Sequence, residues 1–374
     1  MNIWVIGRNY PLPENGAQGS FELEQAQMLC RLGNKVHYLA CCLHPYKKVK
    51  NRGIQSWQDS GLSIRVLSAF YLPRIYPIYF VKGRNQLWKK LFEAVEEEDG
   101  IPDIIHVHYP AMLMIAEALQ SYRNRGVKIV ATEHWSKVLK KNLNSAEIRE
   151  YKKYTKVLNS IICVGEPLKK AVQDLTGMEG IIVPNIVNSC FKPVEVQHDD
   201  LRFVAVGRLI KLKQFDRIIE AFSDTFSRDE NVSLTIVGCG KELPRLQKLA
   251  SQRKAKNQIQ FLGRLDRNQT AQVVSKSDAL ICYSRLETFG VPVIEAWACG
   301  IPVIASSAIA VVKPWQSRLG IEVSPDDYEG LKIAMRYIYE HRDDYNKTDI
   351  RQYALLHFSD EVVSQRLMDI YQQC

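Results

Sequence analysis

The sequence predicts an α/β fold built from two doubly wound, Rossmann-like domains, and three observations support this class. The chain has 374 residues, more than the roughly 250 to 300 at which a single hydrophobic core stops growing, so two domains are expected. Short β-branched runs alternate with amphipathic stretches throughout, which is typical of parallel βαβ units. The pattern also restarts after a polar, proline-containing segment at 185–200, which we interpret as the domain boundary.

The predicted first domain, residues 1–190, contains seven short apolar runs that are typical of strands. They lie at residues 2–6, 35–41, 62–68, 103–108, 127–132, 160–165 and 180–184. Helical patterns lie between most of them. The first predicted helix, 20–32, has Ser20 as its N-cap and Gly33 as its terminator.

The predicted second domain, residues 191–359, repeats this alternation. Its strand-like runs lie at residues 202–207, 233–238, 259–263, 279–284 and 301–306. The last segment, 360–374, has a helical pattern and is expected to pack back on the first domain. Two such domains facing each other would place the carboxyl ends of both sheets around one cleft, where doubly wound folds bind ligands.

The composition excludes several other classes of protein. Hydrophobic residues make up 46% and charged residues 24% of the chain, which is ordinary for a globular protein. The nine cysteines are odd in number, scattered and without a C-x-x-C pair, which disfavours a disulfide framework and a structural zinc site. The N-terminus lacks the features of a signal peptide, and the most apolar long window, 291–312, is interrupted by Glu295 and two prolines. We therefore expect a cytoplasmic protein.

The stretch ETFGVPVIEAWACG, residues 287–300, predicts an anion site. Pro292 suits the first position of a helix and Gly300 the residue just past its end, so a helix of about two turns is expected, with Glu295 in its first turn. The amides before this helix would lie at the positive end of its dipole. A diphosphate-linked sugar needs such a helix end, and it needs carboxylates such as Glu287 to accept hydrogen bonds from hydroxyls. Spacing alone leaves a simpler alternative open, in which Glu295 satisfies the helix end and Glu287 is solvated.

Two cations follow the first strand of the second domain. Arg208 comes directly after Gly207, which ends the strand, and Lys213 lies five residues further on, near the start of a helix. A guanidinium binds diphosphate oxygens bidentately, and a lysine adds a compact charge to the same group. The alternative is a pair of surface cations on a loop.

At this point several motifs together resemble a known family. The runs VGRLIKLKQFDRIIEAF, LTIVGCG, IQFLGRL and ETFGVPVIEAWACGIPVIAS, in that order across residues 202–306, resemble the retaining glycosyltransferases of family 4, which have the GT-B fold. A weaker resemblance continues through most of the first half, in DIIHVHYP, VATEHW, CVGEPLKKAV and IIVPNIVN.

This resemblance implies a nucleotide-sugar donor bound mainly by the second domain. Arg208 and Lys213 are then expected to neutralise the leaving diphosphate, Glu287 to hold the transferring sugar and Glu295 to bind the ribose hydroxyls. The remaining donor-binding positions that it implies are Gly16, Gly19, Gly207, Arg264, Leu265, Phe289, Gly290 and Val291. From the first domain, His134 is expected to face the donor sugar, the alternative being a histidine with a structural role at a strand end.

The expected chemistry needs no metal and no cofactor. Cleavage of the anomeric bond places negative charge on the diphosphate, and preorganised cations lower that barrier. The sequence has no Asp-x-Asp triplet to hold a divalent ion against a diphosphate. His106 and His108 alternate on one predicted strand, and a structural role is favoured for them because no third metal ligand is nearby.

Some positions depart from the family pattern. The usual Lys-Gly pair is Lys213-Gln214, and the adjacent glycines of the first loop are spread over residues 16–19. The segment after PVIAS lacks paired glycines, which leaves the identity of the donor sugar open.

The acceptor is expected at the first domain, where the positive charge is concentrated. Residues 1–190 hold 25 Lys and Arg against 17 Asp and Glu, and the remainder holds 25 against 24. Residues 71–92 interleave aromatic and basic side chains, which suits an anionic membrane and hence a lipid-linked sugar acceptor or glycan; the alternative is buried aromatics and solvated cations. A nucleic-acid partner is not expected, because no RRM, KH or zinc signature is present. Another GT-B enzyme, such as a nucleotide-sugar epimerase, remains an alternative.

Overall fold

The chain forms two compact units, residues 1–186 with 363–374 and residues 187–362. A computed structural model describes residues 1–11, 19–45, 52–71, 77–228, 230–311 and 314–374, and side chains within these ranges except those of residues 44, 45, 70, 71 and 77–80. The sequence placed the boundaries at 190 and 360. The chain passes from the first unit to the second after residue 186 and returns after residue 362, near the start of the last helix, residues 360–373.

The first unit holds an eight-stranded sheet. Its strands are β1 (Asn2–Gly7), β2 (Lys35–Pro45), β3 (Gly53–Asp59), β4 (Leu62–Tyr71), β5 (Ile104–His108), β6 (Lys128–Glu133), β7 (Ser160–Cys163) and β8 (Ile181–Ile182). The order across the sheet is β3-β4-β2-β1-β5-β6-β7-β8, and only β3 runs antiparallel to its neighbour. The sequence did not predict β3, because its side chains are mostly polar and none is fully buried.

The first unit also contains helices. They are α1 (Ser20–Arg31), α2 (Pro77–Asp99), α3 (Pro110–Leu113), α4 (Ala116–Asn124), α5 (Ser136–Leu139), α6 (Ser145–Tyr154), α7 (Glu166–Thr176) and, from the end of the chain, α14 (Asp360–Gln373). The predicted cap of α1 is wrong by one residue. Gly19 is the N-cap, with a left-handed φ of 92°, and Ser20 is the first helical residue.

The C-terminal helix completes the core of the first unit. Its residues Val363, Leu367, Ile370 and Tyr371 are buried against Ile3 and other side chains of β1, β2 and β4. The helical prediction for residues 360–374 is confirmed, since α14 ends at Gln373.

The second unit holds a six-stranded parallel sheet. Its strands are β9 (Leu201–Val206), β10 (Val232–Val237), β11 (Ile259–Gly263), β12 (Ala279–Cys282), β13 (Val303–Ser306) and β14 (Gly320–Val323). Its helices are α8 (Phe215–Thr225), α9 (Leu243–Ser251), α10 (Arg267–Ser275), α11 (Val291–Ala298), α12 (Tyr328–His341) and α13 (Lys347–Phe358). Helix α8 contacts α9 and α12, whereas α11 contacts α10 and α13, as expected for two helical layers on a doubly wound sheet.

The strand order of the second sheet is β11-β10-β9-β12-β13-β14. Within this unit, that is the third, second, first, fourth, fifth and sixth strand, which is the order of dinucleotide-binding α/β sheets. In such sheets the order reverses between the first and fourth strands, and the ligand crevice lies outside their carboxyl ends. Here these strands are β9 and β12.

Candidate functional site

The loops after β9 and β12 meet at the reversal point of the second sheet. The backbone N–H of Arg285, in the loop after β12, donates to the carbonyl of Leu212, in the loop after β9, at 2.9 Å. The predicted cations Arg208 and Lys213 lie on the first of these loops, and Glu287 lies on the second. The fold therefore brings together three of the residues predicted to act on the donor.

Lys213 and Glu287 form an ion pair across the two loops. Glu287 also accepts a hydrogen bond from the Ser284 hydroxyl at 3.2 Å, and Ser284 is buried. Burial lowers the pKa of Lys213, and the nearby Arg208 cation lowers it further. The pair places one positive and one negative group side by side at the carboxyl edge of the sheet.

Arg208 differs from Lys213 in having an exposed side chain. Within the described residues its guanidinium makes no hydrogen bond or ion pair, although it lies only two residues after the largely buried strand β9. An exposed guanidinium without a protein partner is available to an anionic ligand.

Gln214 fixes the loop that carries both cations, a role that sequence reasoning did not identify. Its backbone is left-handed, with a φ of 51°, a conformation that glycine adopts without strain. Its amide donates to the carbonyls of Tyr283 at 3.1 Å and Pro325 at 2.9 Å, and it accepts from Nε of Arg285 at 2.9 Å. The departure from the usual glycine therefore adds three hydrogen bonds that hold the loop.

Two glycines allow the loop after β10 to approach the loop after β9. A Cβ on Gly238 would lie 1.9 Å from the carbonyl oxygen of Gly207, and a Cβ on Gly240 would lie 2.2 Å from that of Leu209. The backbone N–H of Leu209 donates to the carbonyl of Cys239 at 2.9 Å. Only glycine fits at positions 238 and 240. The two glycines of the VGCG motif are therefore the sequence signal for this close approach of the two loops.

Helix α11 begins at the anion site predicted from the sequence. Gly290 is its N-cap, with a φ of 111°, and no side chain caps the helix. A Cβ on Gly290 would lie 2.4 Å from Ile309. Val291 is the first helical residue and Phe289 is buried against Phe358, with ring centroids 5.9 Å apart.

The predicted position of Glu295 needs a correction. The helix starts at Val291 and Pro292 is its second residue, so Glu295 is the fifth residue and lies beyond the first turn. Its buried carboxylate accepts from Nη1 of Arg267, the first residue of α10, at 2.5 Å. The sequence missed Arg267 because it lies 28 residues away on another helix.

Two of the predicted donor-binding residues, Arg264 and Leu265, follow β11. Arg264 is exposed and its Nε contacts the sulfur of Cys239 at 3.2 Å, which joins this loop to the one after β10. Leu265 is half-buried. Both residues lie at the carboxyl edge of the sheet.

The first sheet has its own reversal point, between β1 and β5, and an ion pair that was not predicted lies there. Nε of Arg8, just after β1, lies 3.0 Å from Oε1 of Glu22, whose side chain is fully buried in α1. The Arg8 guanidinium also lies 4.1 Å from the ring centroid of Tyr109, just after β5. Burial raises the pKa of Glu22, and Arg8 opposes that rise.

Three buried histidines lie beside this reversal point. His134, directly after β6, contacts His108, with Nε2 of His134 3.0 Å from Nδ1 of His108. His108 stacks on His106 with ring centroids 4.6 Å apart, so the two share one face of β5 as alternation predicted. His106 in turn contacts the Tyr371 hydroxyl at 2.6 Å and the Thr132 hydroxyl at 2.7 Å. Burial lowers the pKa of His106 and of His134 to about 3, so both rings are neutral near pH 7.

Glu133 is a fully buried carboxyl beside His134. Its Oε1 accepts from the backbone N–H groups of His134 at 2.9 Å and Trp135 at 2.8 Å. Burial raises its pKa to about 7 despite these bonds. Glu133 therefore holds the backbone at the end of β6 and orients His134 from the main chain.

The first loop of the chain is described only in part. Gly16 lies outside the described residues. Gly19 lies inside them, and a Cβ there would lie 2.1 Å from the carbonyl oxygen of Asn9, so the backbone at this position needs glycine.

The aromatic and basic segment 71–92 falls mainly on α2, and residues 72–76 lie outside the described residues. Trp88 and Phe92 are buried in the core. Arg84 donates to the carbonyl of Met112 at 2.8 Å. These three side chains thus serve the fold, and the solvent-facing cations of the described part include Lys82 and Lys90.

Two further features concern metals and membranes. Across the described ranges, no group of three or more His, Cys, Asp or Glu side chains is arranged to hold a metal ion. None of the described helices is both long and apolar enough to cross a bilayer.

Family models match both halves of the chain. Residues 20–189 match the model described as Glycosyltransferase Family 4, and residues 189–354 match the model described as Glycosyl transferases group 1. Together these matches span all the loops described above except the residues before position 20.

Individual relatives and one solved structure agree with these models. The chain is 24% identical over 308 residues to N-acetyl-alpha-D-glucosaminyl L-malate synthase of Bacillus anthracis, covering 79% of this chain and 76% of the relative. It is 23% identical over 348 residues to the phosphatidylinositol N-acetylglucosaminyltransferase gpi3 subunit of Schizosaccharomyces pombe, covering 90% and 73%. The structure of Anabaena HepE in complex with UDP-glucose superimposes with a TM-score of 0.75 at 15% identity, covering 100% of both chains.

The matches to both family models, the strand order of the second sheet and the shared architecture lead to one conclusion. This chain belongs to the glycosyltransferases of the family 4 type, with the GT-B fold.

Proposed function

We propose that this protein is a retaining, metal-independent glycosyltransferase that moves a sugar from a nucleotide-sugar donor to a glycan or lipid-linked sugar. Its place would be in the biosynthesis of a cell-surface polysaccharide or glycoconjugate. The observation that carries the proposal is the meeting of Arg208, Lys213 and Glu287 at the reversal point of the second sheet.

The charges at this point fit a departing diphosphate. Breaking the anomeric bond leaves positive charge on the sugar ring and adds negative charge to the diphosphate. Arg208 supplies a guanidinium with no partner among the described residues, and Lys213 supplies a second cation on the same loop. The uncapped start of α11 adds the positive end of a helix dipole.

Glu287 has two roles in this proposal. In the structure it holds Lys213 in place, and Ser284 orients its carboxylate. With donor bound, the same carboxylate accepts a hydrogen bond from a sugar hydroxyl. Glu295, held by Arg267, accepts from the ribose hydroxyls.

Metal independence follows from the same residues, because side chains and a helix end supply the positive charge that a divalent ion would otherwise provide. We expect the rate of transfer to be unchanged by EDTA. Loss of activity that Mg²⁺ or Mn²⁺ restores would contradict this part of the proposal.

The donor is best identified by protection against thermal unfolding, since a ligand that binds only the folded state raises the Tm. A panel should include UDP-glucose, UDP-N-acetylglucosamine, GDP-mannose and ADP-glucose. The UDP sugars come first because HepE binds UDP-glucose and both relatives are named for N-acetylglucosaminyl groups. A Tm that no nucleotide sugar raises would contradict the proposal.

Retention is tested on the product. The verified donor is incubated with candidate glycan or lipid-linked acceptors, and the anomeric configuration of the new linkage is read by NMR. We expect the configuration of the donor. Inversion would overturn the retaining assignment, and epimerised nucleotide sugar without transfer would point to an epimerase.

A further inference from the structure

We propose that His108 is a positioning residue that sets the tautomer of His134, so that His134 presents an N–H donor from Nδ1. The inference deepens the proposed function, on which the role of His134 toward the donor sugar rests. It comes from the three-histidine chain of the first unit, which runs from Tyr371 through His106 and His108 to His134.

The contact between the two rings requires one shared proton. Nδ1 of His108 and Nε2 of His134 lie 3.0 Å apart, which is a hydrogen-bond distance. In a neutral imidazole one nitrogen donates and the other accepts, so one ring of the pair must donate and its partner must accept. Burial lowers the pKa of each ring, which keeps both neutral near pH 7.

The other nitrogen of His108 decides between the two arrangements. Nε2 of His108 is buried and has no hydrogen-bond partner within the described residues. If His134 donated, that Nε2 would carry a buried N–H without an acceptor, which is rare in folded proteins. If His108 donates from Nδ1, the same atom carries only a lone pair. The second arrangement is therefore favoured.

The consequence falls on His134. Its Nε2 accepts from His108, so its proton must lie on Nδ1. In the described part of the structure Nδ1 makes no hydrogen bond, and the residue keeps 9% of its surface exposed at the carboxyl edge of the sheet. The ring is held between neighbours, with centroids 5.3 Å from His108 and 4.8 Å from Tyr109.

The other members of the three-histidine chain hold the His108 ring in this orientation. Both nitrogens of His106 are occupied, by the hydroxyls of Tyr371 and Thr132, and its ring stacks on His108. The arrangement is therefore anchored by α14 at one end and open to a ligand at the other. A neutral, donating His134 suits a hydroxyl or ring oxygen of a sugar and does not suit proton transfer as an imidazolium.

Nitrogen-15 NMR of the full chain labelled at its eight histidines tests the tautomer directly. The His134 signals are assigned by their loss in His134→Gln. We expect His134 to be protonated at Nδ1 in the wild type. His108→Leu should shift the proton toward Nε2, whereas His108→Asn, whose amide nitrogen can replace Nδ1, should leave it on Nδ1. Protonation of His134 at Nε2 in the wild type, or no shift in His108→Leu, would overturn the inference.

Kinetics supply the second readout. With a verified donor, we expect His108→Leu to lower kcat about tenfold, the effect of one lost hydrogen bond in the transition state, and His108→Asn to restore most of it. A matched control is His37→Leu, which removes another buried histidine of the same sheet and should leave both the His134 tautomer and kcat near wild type. Wild-type kcat in His108→Leu would also overturn the inference. If no nucleotide sugar is turned over, the proposed function fails, and the NMR result alone decides the role of His108.

Discussion

The two sheets of this protein reverse their strand order at chemically different places. At the reversal point of the second sheet, Arg208 is exposed without a partner among the described residues and Lys213 pairs with Glu287 across two loops. At that of the first sheet, Arg8 is paired with a fully buried Glu22, and the neighbouring histidines are neutral. Similar architectures therefore present an exposed cation at one point and a compensated ion pair beside neutral imidazoles at the other.

This difference suggests a different role for each unit in the proposed sugar transfer. An exposed cation suits a diphosphate, whose charge is large and increases during the reaction. Neutral imidazoles and compensated charges instead suit hydroxyl groups, which need orientation and little charge. On this basis we propose that the second unit stabilises the leaving group and that the first unit positions the sugar.

The contrast between the two units is wrong if the cations of the second unit are not needed for catalysis. Arg208→Ala and Lys213→Ala should each lower kcat by a factor of roughly a hundred to a thousand, because removal of one preorganised donor costs about 2.7–4 kcal/mol of barrier. The matched control is Lys211→Ala, which removes an exposed cation from the same loop and should keep wild-type kcat. Near-wild-type turnover in both test variants, with folding verified by circular dichroism, would refute the diphosphate assignment.

Glu133 tests whether the first unit prefers neutral groups. Its folded-state pKa of about 7 lies above its ordinary value of 4.5, so its contribution to stability is fully present below pH 4.5 and is lost as the pH rises through 7. From about 1.4 kcal/mol per pKa unit, the wild type should lose about 3 kcal/mol over this window through Glu133.

The measurement is urea unfolding of the wild type and of Glu133→Gln from about pH 4.5 to 8, a window that spans both pKa values. The difference between their free energies of unfolding should change in favour of the variant as the pH rises. Glu117→Gln, at an exposed carboxylate of the same unit, serves as the control. Parallel pH profiles for wild type and Glu133→Gln would show that this carboxyl titrates normally.

Gln214 sharpens the comparison, because it tests how rigidly the second unit holds its cations. Both Gln214→Ala and Gln214→Gly lose the three side-chain hydrogen bonds, but only alanine keeps the left-handed strain. The glycine variant should therefore be more stable than the alanine variant by about 1 kcal/mol, measured by urea unfolding. Equal stabilities would show that position 214 carries no backbone strain.

The last test concerns the exposed surface of the first unit. We expect the positive charge of this surface to bind anionic lipid. The double variant Lys82→Gln with Lys90→Gln should then weaken binding to anionic liposomes, measured by sedimentation, by about fivefold per lysine, because each cation contributes about 1 kcal/mol. Added salt should also weaken this binding. Donor protection should be unchanged. Lys248→Gln with Lys254→Gln, at exposed lysines of the second unit, is the control. Wild-type protein that never sediments would leave a soluble acceptor as the better hypothesis.

Much of the fold could be predicted from local pattern. The parallel strands are short, largely buried and mostly apolar, as in β9 and β12, so their identity follows from local composition. Strand β3 was not predicted because it is an antiparallel edge strand with mostly polar side chains. The start of α1 was misplaced because a left-handed glycine, and not a hydroxyl, precedes that helix.

The sequence predicted those site residues that belong to a short continuous motif. Glu287, Gly290 and Lys213 belong to contiguous motifs, and the strand order then brings these motifs together. The partners that orient them come from distant positions, as Arg267 does for Glu295 and Tyr371 for His106. Such pairs have no spacing to detect in a single sequence, so they emerge only when the chain is folded.

The contact between Tyr371 and His106 joins residues 265 positions apart within one sheet-and-helix core. During synthesis on the ribosome, β1 to β8 are complete long before α14 exists, and the whole second unit is made in between. The first unit therefore remains without its last helix while its neighbour folds. The histidine chain can close only after the ribosome has passed residue 371. A nascent chain that stalls between Val323, the last residue of β14, and Tyr371 therefore contains all strands of the second unit and a first unit whose histidines lack their anchor.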